Sequence, residues 1–118
     1  STRLNYDGNF HAFTFIEPSD IRMKTEIEPI ENALDKVNSI TGYNYTMKDS
    51  GDRKTGVIAQ EVLEVLPEAV LGNEEEGFSV AYGNMVGLLI NAVKELTGQV
   101  DELKNEINAL KKGGSDVG

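Results

Sequence analysis

Residues 83–112, GNMVGLLINAVKELTGQVDELKNEINALKK, decide the fold, because apolar side chains recur in them with a period of seven. Val86, Leu89, Val93, Leu96, Val100, Leu103, Ile107 and Leu110 follow one another in alternating steps of three and four without a break. With β-branched residues at a and leucine at d, this is the pattern of a coiled-coil seam. At about 1.5 Å per residue the seam is roughly 37 Å long. Counting Val93 as a, Glu106 takes a g position and Lys111 the next e position, a pairing that favours parallel chains in register. Gly98 falls at f, faces water, and costs only about 1 kcal/mol of helix propensity. The a and d choices alone favour two chains. Leu88, Ile90 and Ala92 widen the early apolar face enough for more. The helix is expected over about 84–112, ended by Lys111-Lys112-Gly113-Gly114, with 113–118 as a disordered tail.

Upstream of this helix the periods are shorter. Thr25-Glu26-Ile27-Glu28 has capping-box spacing and Pro29 suits a first helical position. Ile30, Ala33, Leu34, Val37 and Ile40 then mark one helical face, which Thr41-Gly42 closes. Residues 43–47 and 55–59 read as strands around the polar turn 48–54. Residues 60–66 read as a short helix stopped by Pro67. Ala69-Val70-Leu71 and Phe78-Ser79-Val80-Ala81 flank an acidic turn, Glu74-Glu75-Glu76, which reads as a solvated hairpin loop rather than a metal site. The expected fold is a helix-rich α+β module: short helices and β-hairpins around a long C-terminal helix.

Composition narrows the function. The 118 residues suit one domain. Four phenylalanines, four tyrosines and no tryptophan make a modest core, so association is expected to help stabilise it. Eleven basic against twenty acidic residues leave a net charge of −9, which argues against nucleic acid or an anionic membrane as partner. The absence of cysteine excludes disulfides and thiolate metal sites. No metal or cofactor is expected. No apolar run approaches the roughly 18 residues of a membrane span, and no leader-like segment opens the chain.

Residues 1–18 differ from the rest. Leu4, Tyr6, Phe10, Phe13 and Phe15 lie on two extended pieces around Asp7-Gly8-Asn9. A lone hairpin of this size is barely stable in water, so the segment reads as the end of a larger β structure upstream. Glu17-Pro18 keeps the backbone extended. Ser19-Asp20-Ile21-Arg22-Met23-Lys24 follows. On spacing alone, Ser19 reads as a turn or cap residue and Lys24 as a solvated charge.

Three stretches change that balance. Ser-Asp-Ile-Arg-Met-Lys-Thr-Glu-Ile at 19–27, Gly-Val-Ile-Ala-Gln-Glu-Val at 56–62 with Leu-Pro-Glu-Ala-Val at 66–70, and Val-Ala-Tyr-Gly-Asn-Met-Val-Gly-Leu-Leu-Ile-Asn-Ala-Val-Lys-Glu-Leu at 80–96 occur in one order. Over about 19–112 the chain resembles the endosialidase-type intramolecular chaperone, the self-cleaving C-terminal domain of bacteriophage tail spikes, tail fibres and neck appendages. The resemblance implies a parallel homotrimer attached to an upstream β-helical stalk, working in the bacterial host cytoplasm during virion assembly. It implies cleavage between Pro18 and Ser19, with Ser19 as nucleophile and Lys24 as base. The family's usual leucine before that lysine is Met23 here, of similar volume.

The chemistry has physical requirements. A serine hydroxyl needs a base, and the one histidine, His11, lies in the stalk segment. A lysine serves if burial or a nearby positive charge brings its pKa down from about 10.4 toward neutrality. Arg22 is the candidate positive neighbour; Ile21, Met23 and Ile27 are the candidate dry wall. Asp20 is expected either to orient the site or to cap a turn, and Gln60 and Glu61 either to support it or to open an exposed helix. Residues five apart face opposite ways on a strand and lie about 140° apart on a helix. A pair within one chain therefore needs a bend; otherwise the lysine comes from a neighbour. The competing reading is a structural trimerisation cap that never cleaves.

Overall fold

A computed structural model of the chain describes residues 16–117. The hairpin reading of 1–15, including His11, and the final residue lie outside them. Helix α1 spans Ala33–Asn38, α2 Ala59–Val65 and α3 Val86–Val117. Strands β1 (Tyr43–Thr46) and β2 (Arg53–Gly56) form one antiparallel hairpin, and β3 (Val70–Asn73) and β4 (Gly77–Val80) another. The arrangement is α+β, two small hairpins and two short helices gathered at the start of one long helix.

Helix α3 carries two apolar stripes, and they do different things. Met85 (in the turn leading into α3), Leu88 and Ala92 are buried, Leu88 completely, against Ala33, Val62, Leu66 and Ala69. With Glu95 they repeat the seam's spacing displaced by one residue, about 100° around the helix. The heptad seam itself stays open: Val86, Leu89, Val93, Leu96, Val100, Leu103, Ile107 and Leu110 are all exposed. Leu88 and Ala92 therefore do not widen the seam; the chain's own core uses them, while Ile90 remains exposed.

Helix α1 begins later than its local signals suggest. Residues 25–30 contain no regular helix, and Glu26 and Asn32 take the left-handed conformation, with φ of 50° and 54°. The capping function passes to Glu95 of α3, whose two carboxylate oxygens accept from Ala33 N and Leu34 N at 2.8 and 3.0 Å. Asn91 Nδ2 donates to Ile30 O at 3.0 Å, holding the approach to α1 from the same face of α3. The helix also ends at Asn38, before Thr41-Gly42.

The first hairpin is shifted as well. Thr46 pairs with Arg53, so β2 starts two residues before the expected Thr55 and ends at Gly56. A six-residue loop closes it, with Met47 N donating to Asp52 O and Gly51 at φ 77°. Ile58 and Ala59 leave the strand to open α2. Gly56 has no Cβ because the Tyr82 hydroxyl lies there, accepting from Val57 N at 3.1 Å. That bond ties β2 to the turn Tyr82–Met85 that leads into α3. At the far end α3 continues to Val117, past the Gly113-Gly114 pair expected to stop it; glycine weakens a helix interior without sterically forbidding it.

Candidate functional site

Residues 16–20 carry no regular structure and lead into a single 3-10 turn at Ile21–Met23. Asp20 starts the turn from an extended conformation (φ −70°, ψ 135°), its side chain accepting from Arg22 N. Met23 N donates to Asp20 O at 3.0 Å and Lys24 N to Ile21 O at 3.1 Å. Lys24 then leaves extended, and its Nζ donates to Ser19 Oγ at 2.7 Å. The turn supplies the bend that residues five apart need, so the two side chains meet within one chain.

Arg22 is not available as the positive neighbour of Lys24. Asp20 holds its guanidinium through Nε at 3.1 and 3.2 Å and through an ion pair at 2.7 Å. The Arg22 side chain, then its backbone N–H, holds the Asp20 carboxyl below its usual range, while Asp20 raises Arg22. The expected dry wall is also not formed among the described residues: Ile21, Met23 and Ile27 are 71%, 80% and 63% exposed. Among the described residues, nothing screens the contact between Ser19 and Lys24 from water.

The other two candidate residues, Gln60 and Glu61, lie in the first turn of α2. Glu61 accepts from the Tyr43 hydroxyl at 2.7 Å and from Thr41 N at 3.2 Å, fastening α2 to the start of β1. Gln60 is exposed at the beginning of α2. Among the described residues no cluster of three or more acidic or histidine side chains suits a metal ion, and no helix is long and apolar enough to cross a membrane. Glu95 is the residue that sequence reasoning missed. It sits at a c position of the heptad, where a charge ordinarily faces water, and only its one-residue offset from Leu96 hints that it joins the inner stripe.

Residues 19–71 match the model of a peptidase family described as the chaperone of endosialidase. Long tail fiber protein Gp37 of Enterobacteria phage K3 is 37% identical over 108 residues, covering 84% of this chain and 9% of the relative. The same-named protein of Enterobacteria phage M1 is 33% identical over 120 residues, covering 88% of this chain and 48% of the relative. That of Salmonella phage S16 is 31% identical over 104 residues, covering 79% and 14%. The chain thus spans less than a tenth of the K3 relative and about half of the M1 relative. Through residues 19–71 it matches the endosialidase-chaperone family, and along most of its length it is similar to phage long tail fibre proteins.

Proposed function

We infer that this chain is an intramolecular chaperone that aligns three copies of a phage fibre and then severs itself from it between Pro18 and Ser19. Residues 1–18 would be the end of the stalk and 19–112 the chaperone. The observation that carries the reading is the 2.7 Å contact between Lys24 Nζ and Ser19 Oγ. In the reaction, Ser19 Oγ attacks the Pro18 carbonyl carbon while Lys24, as the free amine, takes the hydroxyl proton. The C–N bond breaks, the Ser19 nitrogen leaves as an amine, and an ester links Pro18 to Oγ. Water then hydrolyses the ester, leaving a Pro18 carboxylate and a chain that begins at Ser19.

Covalent connection supplies the proximity of nucleophile and carbonyl. Folding supplies the base. Assembly would supply the dry environment: a neighbouring chain packed over Ile21, Met23 and Ile27 strips water from the site and favours a neutral amine over an ammonium. The open heptad seam is the surface on which parallel chains would register. An intertwined β-stalk has a large alignment cost before its own contacts form, and a downstream coiled coil lowers that cost. Removing the aligning element afterwards leaves a fibre that unfolds slowly. This work belongs to virion assembly in the bacterial host.

The exposure of the site among the described residues favours a second reading, a trimerisation cap that stays attached. A fusion of this chain to its upstream fibre separates the two. The parent is expected to yield a fragment beginning at Ser19, and Ser19→Ala and Lys24→Met to remain whole. Cleavage at Ser19 in both variants would remove the pair from the mechanism; an assembled parent that never cleaves would favour the cap.

A further inference from the structure

The geometry points to Asp20 as a positioning residue for the Ser19–Lys24 pair: its carboxylate oxygen closes the turn that returns Lys24 to Ser19. The inference rests on the reading of those two residues as nucleophile and base. Four linked observations carry it. Asp20 keeps an extended backbone, with φ −70° and ψ 135°, directly after Ser19 and the proposed scissile bond. Asp20 Oδ1 accepts from Arg22 N at 2.9 Å, the bond by which a cap residue begins a helical turn. The main chain then folds over itself through Met23 N to Asp20 O and Lys24 N to Ile21 O. Lys24 leaves that turn extended, with Nζ 2.7 Å from Ser19 Oγ.

The same carboxylate clasps the Arg22 guanidinium, Nε at 3.1 Å to Oδ1 and the terminal nitrogen at 2.7 Å to Oδ2. Oδ1 thus accepts from both the backbone N–H and Nε of Arg22, and only the first of these bonds belongs to the turn. As an exposed ion pair the clasp contributes little to stability, and neither residue touches the buried core. The Asp20–Arg22 unit therefore sets local geometry without holding the domain together. What matters at position 20 is a short side chain with an accepting oxygen, not the negative charge.

Self-cleavage of the full chain, followed by intact mass over time, tests this. Misplacing a reacting group by about 1 Å costs on the order of 100-fold in rate, so Asp20→Ala is expected to slow release of the Ser19 fragment at least about tenfold. Asp20→Asn and Asp20→Ser keep an accepting oxygen and are expected to stay within about threefold of the parent. All three should melt at the parental temperature, which separates positioning from folding. Asp20→Ala cleaving at the parental rate, or Asp20→Asn as slow as Asp20→Ala, would overturn the inference. A Ser19→Ala control run alongside keeps the two claims distinct: if it cleaves, the nucleophile reading fails. If it is inert while Asp20→Ala matches the parent, only the positioning role fails.

Discussion

For the proposed cleavage, lysine at position 24 must do two things, reach Ser19 Oγ and accept its proton, and only a neutral amine does the second. Arginine reaches as far but keeps its proton at any workable pH. Lys24→Arg is therefore expected to preserve the fold and lose cleavage by about 10²–10⁴-fold, the usual share of a general base. A gel time course checks it, and parental cleavage in that variant would exclude proton transfer to residue 24. Glu95 tests the scaffold in the same way. Its bonds from Leu34 N, then Ala33 N, hold its carboxyl below the ordinary value of 4.5. A lowered folded value means the contribution is complete above 4.5 and is lost as pH falls through the folded value. Glu95→Gln keeps one accepting oxygen for two donors. It should lower the melting temperature at pH 7 and flatten its decline in acid, as read by circular dichroism. Ser19, Lys24 and the need for a bend were legible in the sequence. The turn was half legible, since Asp20 read either as a turn cap or as a residue orienting the site. The engagement of Arg22 by Asp20 was not, because a charge two residues from the base looks free until its partner is located.

At the scale of elements, the heptad and both hairpins could be read because their signals are local: a period of seven, and turn residues between short apolar runs. The start of α1 could not. Its cap comes from a side chain 61–62 residues away, and no local pattern encodes that. The two stripes of α3 were similarly confounded, since a displacement of one residue looks like a broad face until something packs on half of it. The separation has a direct consequence. Leu88→Ala removes a fully buried side chain and is expected to destabilise the single-chain fold by about 2–5 kcal/mol. Leu96→Ala and Leu103→Ala, on the open seam, should leave that fold intact and weaken assembly. Thermal melts and sedimentation measure the two effects separately, and loss of assembly alone from Leu88→Ala would contradict the division. Gly56→Ala would drive a methyl into the Tyr82 hydroxyl, with an expected cost of about 1–3 kcal/mol, the range typical of overpacking. Tyr82→Phe should return part of it, a coupling that a double-mutant cycle resolves.

For the whole molecule, the small core and the long open seam belong to one design. Leu88 and Val62 are the only large side chains fully buried among the described residues, so one chain folds modestly. The seam offers about 1.5–3 kcal/mol for each side chain it buries on assembly. On the proposed reading, folding makes the contact between Ser19 and Lys24 and assembly would dry it, so that cleavage would report that three chains are in register. A polar substitution in the seam, Val93→Asp with Leu96→Asp, should then abolish cleavage while leaving the pair of side chains untouched. The intact mass of the parent chain, recorded as it passes from separate chains to assembled ones, tests the central claim most directly. The account predicts a fragment beginning at Ser19 that accumulates only in the assembled fraction and is absent from Ser19→Ala. An assembled parent that stays whole, or one cut anywhere other than before Ser19, would contradict it.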